Sequence, residues 1–291
     1  MEKEASSTDD TSSFTLLVSC TSGLSLSQVS VACSEAYDRI PHSEVSLENT
    51  ISEIWEQRSQ KNNSFFNGKK FRYGGYVLES GDGSVCEPHL CLHLGLTDYR
   101  TFVGTNLSPM WERFLFPSEG IKGKGMRVEL CSLWICLLLF HPFFDLNCNN
   151  VGEFPGHFVF PGGHPEPQEI GITSHQYDKE LTESVNIKVS QEIFDSIVHE
   201  VVEEIGVPAS SLSIPAFIGI SRRNLNVRPA AFFSIKCNLD SKEVQQFYSS
   251  TQDGYESTQL YDVPMIEVEN MTSRMPGFAL YKLMVDTRKI T

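Results

Sequence analysis

One helix-forming segment in the second half of the chain constrains the fold most. Residues His199–Val207 read HEVVEEIGV and place three carboxylates, Glu200, Glu203 and Glu204, at positions i, i+3 and i+4. On a helix this spacing puts all three side chains on one face, about one turn apart. The segment therefore predicts a helix that ends in a concentrated patch of negative charge.

The sequence around this patch predicts where the helix starts and stops. Ser190 is the predicted N-cap, Gly206 stands where a helix ends, and Pro208 prevents continuation. Between them, apolar residues recur at helical spacing and form a stripe beside the carboxylates, so that the helix can bury one side. These residues are Phe194, Ile197, Val198, Val201 and Ile205.

The acidic face has two interpretations, a solvated surface or a metal site. Like charges at this spacing repel, and a divalent cation turns that repulsion into attraction because hard Mg²⁺ prefers oxygen ligands. The net charge of −14 argues against nucleic acid or an anionic membrane as the main partner. An anionic nucleotide would need metal ions and a few local cations, so the acidity favours the metal interpretation.

A strand and a glycine turn precede the helix. The segment Phe158–Glu166 reads FVFPGGHPE, which predicts a short apolar strand broken by a Pro-Gly-Gly turn. A strand, a glycine turn and a helix ending E-x-x-E-E-x-G-V resemble the Nudix hydrolase box, G-x5-E-x7-R-E-U-x-E-E-x-G-U with U apolar. His199 stands at the arginine of the box, and the isolated glutamate is Glu192, one position beyond Gln191, where the pattern places it. The loop after Gly163 is much longer than the pattern allows.

In these departures the sequence resembles one branch of the family, the UDP-glucose and UDP-galactose diphosphatases. The similar segments are Gly95–Arg100, Gly104–Asn106 and Pro161–Gln168. The resemblance covers roughly residues 14–120 and 149–265. It implies Mg²⁺-dependent hydrolysis of a UDP-sugar to UMP and a sugar 1-phosphate, with Glu200 and Glu204 as metal ligands and Glu203 completing the cluster or acting as base.

The resemblance also implies which residues contact the nucleotide. Tyr99 follows a predicted strand end, so we expect it on a loop together with Arg100 and Asn106. Phe66 lies on a polar loop and is equally well explained as a packing aromatic. The full set of substrate-contacting positions implied by the family is Phe66, Tyr99, Gly152, Val159, His164 and Glu166.

Residues 122–148 do not follow the family pattern. Leu130–Phe140 is an apolar run without alternation or turn residues, so it provides no evident strand register. It is too short to span a bilayer and Pro142 blocks its extension, which leaves a membrane anchor as a weak alternative to a buried strand or helix. We hypothesise that residues near 122–148 derive from retained intronic sequence or from a mispredicted exon. Asn147 stands where the similar enzymes carry a substrate-contacting arginine.

Shorter patterns predict the remaining elements. Strands are expected at Val29–Cys33, Phe71–Leu78 and His89–Leu96, and a helix over Ser241–Ser249 with Asp240 or Ser241 as its cap. The loop Arg222–Arg228 carries three arginines and is either a phosphate-attracting or a merely solvated loop.

Together these elements predict an α+β protein, which the resemblance specifies as a Nudix-type α/β/α sandwich with a mixed sheet and a smaller N-terminal α/β subdomain. The expected divisions are a disordered tail at 1–13, the subdomain at 14–117 and the Nudix domain at 118–291. Eight scattered cysteines without a C-x-x-C pair, and no targeting segment, favour a cytoplasmic or nuclear location. Two functional alternatives remain: a catalytically impaired binding protein, or a hydrolase of another nucleoside diphosphate compound such as ADP-ribose.

Overall fold

The computed structural model describes residues 14–61, 66–79, 87–116, 127–128, 134–139, 143–147, 158–175, 178–250 and 257–262. The predicted tail at 1–13 and residue Gly152 lie outside these ranges. Within them the chain is a mixed α+β protein. Its helices are α1 (Val45–Ser59), α2 (Tyr99–Thr105), α3 (Lys179–Ile205) and α4 (Ser241–Tyr248). Its strands are β1 (Phe14–Leu24), β2 (Val29–Cys33), β3 (Lys69–Glu79), β4 (His89–Asp98), β5 (Leu115–Phe116), β6 (Arg127–Val128), β7 (Trp134–Leu139), β8 (Phe143–Asn147), β9 (Phe158–Val159), β10 (Ala216–Arg223), β11 (Pro229–Ile235) and β12 (Ser257–Asp262).

Two mixed sheets carry the described fold. The first has the strand order β1-β10-β11-β7, with antiparallel neighbours except for the parallel pair β11 and β7. The second has the order β2-β4-β3, in which β2 and β4 are parallel and β3 and β4 antiparallel. Strands β12, β8 and β9 form a third, antiparallel sheet, and β5 pairs with β6.

Helix α3 joins the two mixed sheets through one hydrophobic core. Apolar side chains of α3 belong to the same buried cluster as residues from β1, β2, β3, β4, β10 and β11. Phe194 on the helix meets Phe233 of β11 edge to face, with ring centroids 5.1 Å apart, and Phe233 meets Phe217 of β10 in the same way at 5.6 Å. Such edge-to-face pairs add about 0.5–1.5 kcal/mol each beyond the area they bury. The helix that carries the acidic patch is thus fixed by packing.

The apolar stripe of this helix is confirmed, whereas its predicted start is wrong. Ile197, Val201 and Ile205 are fully buried, and Gly206 ends the helix in the left-handed conformation with φ 82°. The helix begins at Lys179 rather than at Ser190, because the carboxylate of Asp178 accepts the backbone N–H groups of Glu180 and Leu181. The Ser190 hydroxyl instead donates to the Asn186 carbonyl at 2.9 Å. Without glycine or proline in between, nothing stops the helix from extending toward this stronger cap.

The expectation of a loop at Tyr99 is also wrong. Asp98 accepts the backbone N–H of Thr101 and caps α2, so that Tyr99 is the first helical residue. Asn106, at the other end, is 1% exposed and therefore buried. An Asp immediately before the turn is a strong N-cap, and a helix of seven residues is too short for its apolar periodicity to be detected.

The apolar run at 130–140 has a strand register after all. Its residues Trp134–Leu139 form β7, which pairs in parallel with Ala230–Ile235 of β11 over six residues. The expectation of a run without register is therefore wrong for this part. Parallel strands are commonly covered on both faces, so their sequences are continuously apolar rather than alternating. The origin of the segment in retained intronic sequence stays a hypothesis.

Candidate membrane-spanning helices were sought in the described ranges, and none there has both the length and the apolar character that crossing a bilayer requires.

Candidate active site

The acidic patch lies at the C-terminal end of α3, on the side away from the core. Glu200 and Glu204 are half-buried, and Glu203 is exposed. The difference follows from helical geometry, since residues i and i+4 lie nearly in line while i+3 is rotated toward solvent here. Of the three predicted carboxylates, Glu200 and Glu204 therefore pack partly against the protein, and Glu203 is open to water.

The Pro-Gly-Gly turn packs directly on these two carboxylates. The backbone N–H of Gly162 donates to Oε2 of Glu204 at 3.1 Å. A Cβ added at Gly163 would overlap the Glu200 carboxylate, so this carboxylate keeps its present position only beside a glycine. The turn and the helix end thus form one unit, although Gly163 and Glu200 are 37 residues apart in the sequence.

The chemistry of these donors fits a hard divalent cation. Mg²⁺ is usually bound through one or two carboxylates, with water and substrate oxygens completing its shell. Glu200 and Glu204, on adjacent turns and both beside the glycine turn, match this partial donor set. In the part of the chain that the structure describes, no three His, Cys, Asp or Glu side chains converge into a self-sufficient metal cage.

Glu192 anchors the loop that follows the glycine turn. It is 7% exposed, two turns before Glu200, and its carboxylate accepts the backbone N–H of Glu166. Burial raises the pKa of Glu192, while the Glu166 N–H and the charge of His199 act in the opposite direction. His199, at the position of the box arginine, is exposed and lies near enough to Glu192 to influence its pKa.

We expect Glu192→Gln to stabilise the protein at pH 7 and to have a smaller effect near pH 4. Because the folded state raises the pKa of Glu192, the folded protein loses stability as pH rises from the ordinary glutamate pKa through the raised one. Gln does not ionise, so it adds no pH dependence, and it keeps an oxygen acceptor for the Glu166 N–H. Melting temperatures of the two proteins between pH 4 and pH 8 measure this, and a pH-independent difference would contradict it.

Glu192→Ala separates the hydrogen bond from the charge. It deletes the acceptor and leaves the Glu166 N–H unsatisfied, which costs about 1–3 kcal/mol for a buried group. We therefore expect this variant to melt below the unchanged protein at every pH.

His164 directly follows the glycine turn and is neutral at physiological pH. Its Nε2 is buried, and burial, together with the nearby Lys70 ammonium, lowers the pKa of His164 to about 3. Its ring meets the edge of Phe102, with centroids 6.1 Å apart. A neutral imidazole can donate or accept a hydrogen bond, but it contributes no positive charge toward a diphosphate.

Lys70 and Phe102 are two residues of this region that the sequence analysis missed. Lys70 of β3 is 8% exposed, and its ammonium forms an ion pair with Glu166. Arg72, two residues on, is 6% exposed. The predicted strand begins only at Phe71, whereas β3 begins at Lys69 and places Lys70 and Arg72 at i and i+2 on one face. Such a pair of charges at the start of an apolar strand is the sequence feature that could have indicated a buried polar site here.

Tyr99 and Phe66 have different surroundings. The Tyr99 ring stacks on Phe102 at 6.1 Å and meets Trp55 edge to face at 6.0 Å. The Tyr99 N–H donates to the Gly68 carbonyl at 2.9 Å, which ties α2 to the start of β3. Phe66, two residues before Gly68, is 73% exposed and is therefore not a core aromatic.

Among the predicted substrate residues, Tyr99 and His164 both contact the ring of Phe102. Glu166 forms an ion pair with Lys70, whose ammonium also lies near His164. Val159 is the second residue of β9 and pairs with Asp145 of β8. The side chain of Val159, the side chain of Asn147 and all of Gly152 lie outside what the structure describes.

Comparison with known proteins gives close relatives. Nudix hydrolase 9 of Arabidopsis thaliana is 56% identical over 298 residues, which cover 96% of this chain and 94% of that protein. The uridine diphosphate glucose pyrophosphatase NUDT22 of Mus musculus is 34% identical over 265 residues, covering 88% of this chain and 82% of that protein. The human NUDT22 is 31% identical over 264 residues, covering 88% and 85%. No protein-family model matches the chain.

Proposed function

The chain belongs to the Nudix hydrolase family and is a pyrophosphohydrolase that resembles the NUDT22 branch, and from this premise we propose that it hydrolyses the diphosphate bond of UDP-sugars. The products are UMP and a sugar 1-phosphate, formed as one water molecule is added across the bond. UDP-glucose and UDP-galactose are the proposed substrates. The observation that carries the proposal is the pairing of Glu200 and Glu204 with the Gly162–Gly163 turn.

Mg²⁺ is the proposed cofactor, as a divalent metal is general in the family. Glu200 and Glu204 would hold it, and when bound it neutralises the diphosphate and lowers the pKa of the attacking water. Glu203, which is exposed one turn from Glu200, is the proposed third carboxylate of the cluster or the proposed base that would take the proton from that water. Gly162 holds Glu204 in orientation through its N–H, and the absence of a side chain at Gly163 leaves the Glu200 carboxylate its position.

The nucleotide is assigned to the aromatic residues around Phe102. Tyr99 offers a flat ring for stacking on uracil, and Phe66 offers a second, exposed ring. His164 and Glu166 follow the glycine turn, and they are the proposed hydrogen-bonding contacts to the nucleotide. Gly152 and Val159 belong to the proposed contacts through the family resemblance alone.

The remaining parts of the proposal follow from the same premise. They are an α/β/α sandwich arrangement, division into units at residues 14–117 and 118–291, and a cytoplasmic or nuclear location. The core cluster that joins β1 and β2 to β10 and β11 means that the two units would share one hydrophobic interior.

A substrate panel tests the proposed function. Purified protein is incubated with UDP-glucose, UDP-galactose and ADP-ribose, with Mg²⁺ or with EDTA, and UMP or AMP is quantified by chromatography. We expect Mg²⁺-dependent UMP and hexose 1-phosphate from both UDP-sugars, with ADP-ribose turned over at least ~10-fold less efficiently. Preferential hydrolysis of ADP-ribose would move the substrate to another nucleoside diphosphate compound and contradict the proposal.

Tyr99→Ala tests the nucleotide side. Stacking on the base acts alike in the ground and transition states, so KM should rise while kcat stays within about twofold. A stacked base contributes roughly 1–3 kcal/mol, which corresponds to a KM about 5- to 150-fold higher. Steady-state kinetics on UDP-glucose measure this. An unchanged KM would remove Tyr99 from the site, and Trp55→Phe, which retains a ring beneath Tyr99, is the control for packing.

A further inference from the structure

The loop between β10 and β11 contains a strained turn. Asn226 and Val227 have positive φ angles, 60° and 51°, and both are buried, at 5% and 6% exposure. Residues other than glycine rarely adopt this conformation, and for a β-branched side chain such as valine it is sterically unfavourable. A turn of this kind persists only where the surrounding structure holds it.

Helix α2 holds the turn. The side-chain amide Nδ2 of Asn106, at the end of α2, donates to the Asn226 carbonyl at 2.8 Å, and Asn106 is 1% exposed. At the base of the loop the Arg223 N–H donates to the Arg228 carbonyl at 2.9 Å. The loop is thereby joined to the helix whose first residue is Tyr99, although 120 residues separate the two partners in sequence.

Arg228 directly follows the strained turn, and its guanidinium faces the ring of Phe102. Its Cζ lies 5.6 Å from the centroid of Phe102. Phe102 in turn contacts both His164 and Tyr99, each with ring centroids 6.1 Å apart. Arg228 is 9% exposed, so its charge sits where the effective dielectric constant is low and its attraction to an anion is strong.

Binding of a diphosphate at this site requires a compensating positive charge. A diphosphate brings negative charge to a chain whose own net charge is −14. His199 and Asn147 occupy two positions where the family pattern has arginine, and His164 is neutral. Lys70 already forms an ion pair with Glu166. An arginine is permanently charged and offers five N–H donors in a fixed fork that matches phosphate oxygens.

We propose that Arg228 binds the diphosphate of the substrate, and that the Asn226–Val227 turn, held by Asn106, fixes its guanidinium on Phe102 for this contact. The inference rests on the proposed function in that it takes a nucleoside diphosphate compound as the ligand. Arg228 thereby supplies from the β10–β11 loop a charge of the kind that the family pattern places at positions 147 and 199. Asn106 acts through Arg228 and is a positioning residue.

The test compares ligands that differ only in their phosphates. Dissociation constants of UDP, UMP and uridine are measured by calorimetry in Mg²⁺ for the unchanged protein, Arg228→Gln and Lys242→Gln. Lys242 is exposed on α4, and its replacement is the control that makes the same change in net charge. We expect Arg228→Gln to weaken UDP binding about 10- to 100-fold, the range of a lost charge-assisted contact. Uridine binding should stay within about twofold, and Lys242→Gln should change neither.

Two results with Arg228→Gln would overturn the inference, and one result with the unchanged protein would overturn it together with the proposed function. Equal weakening of UDP and uridine would assign Arg228 a structural role only, and unchanged UDP binding would remove it from the site. If the unchanged protein binds ADP and adenosine but not UDP and uridine, the proposed UDP-sugar substrate is wrong. The effect of Arg228→Gln is then measured in the same way with ADP and adenosine. A protein that binds neither UDP nor ADP contradicts both.

Two further variants test whether misfolding explains the loss of UDP binding and whether Asn106 positions Arg228. Arg228→Lys keeps the charge and the stem but not the fork, so UDP binding should fall less than in Arg228→Gln, again with uridine unchanged. Asn106→Ala should weaken UDP binding in the unchanged background, but not in Arg228→Gln, because both act through one guanidinium. Additive losses in the double variant would contradict the positioning role of Asn106.

Discussion

Glu204→Gln is expected to abolish hydrolysis while leaving the fold intact. The substitution removes one negative charge from the proposed metal-binding pair and keeps the shape and helix propensity of the side chain. It also keeps an oxygen that can accept the Gly162 N–H, so the turn should remain seated on α3. Each tenfold loss of rate corresponds to about 1.4 kcal/mol, and a lost metal ligand removes several kcal/mol, so we expect a decrease in kcat/KM on the order of 100-fold or more.

The same variant is measured for metal binding and for stability. Addition of Mg²⁺ or Mn²⁺ should raise the melting temperature of the unchanged protein and not that of Glu204→Gln. Glu183→Gln, an exposed position on the same helix, makes the same change in charge and should keep full activity. Retention of more than about a tenth of the activity at saturating Mg²⁺ would rule out Glu204 as an essential ligand.

Gly163→Ala is expected to be nearly as damaging, although it adds a single methyl group. The new Cβ would overlap the carboxylate of Glu200, so either that side chain or the turn must move. A displacement of about 1 Å at a site that positions reacting groups can cost on the order of 100-fold in rate. We therefore expect kcat to fall by about that factor, with a weaker response of the melting temperature to Mg²⁺.

Gly171→Ala is the matched control. Gly171 belongs to the same long loop, and a Cβ there would meet nothing within 4 Å. Its φ of 75° makes alanine strained, so this variant should lose about 1 kcal/mol of stability and keep its catalytic rate. If Gly163→Ala kept full activity, the close packing of the turn on Glu200 would have no catalytic importance.

The local features of the site could be predicted from the sequence because each depends on neighbours a few residues away. The stripe through Ile197, Val201 and Ile205 follows from helical periodicity, and it is buried as predicted. The end of α3 at Gly206 and the cap of α4 at Asp240 follow from the backbone preferences and hydrogen bonds of those residue types. The start of α3 was predicted wrongly because Ser190 and Asp178 both satisfy the local rule for an N-cap, and only one of them is used.

Strand pairing could be predicted less well, for reasons that differ between strands. β7 is an apolar run without alternation, which by itself is equally consistent with a helix or a strand, and its six-residue register exists only because β11 is there to pair with it. β1 pairs with β10, about 200 residues later in the chain. No property of Phe14–Leu24 identifies such a partner.

By itself the sequence determined which chemistry the chain carries: carboxylates one turn apart on a capped helix, a glycine turn and the family to which both belong. Only the tertiary structure decided which of these groups meet. Gly162 reaches Glu204, Lys70 reaches Glu166, and Asn106 reaches Asn226, pairs separated by 42, 96 and 120 residues. Such contacts depend on how several elements pack together around one core, whereas spacing along the chain fixes geometry only within a single helix, strand or turn.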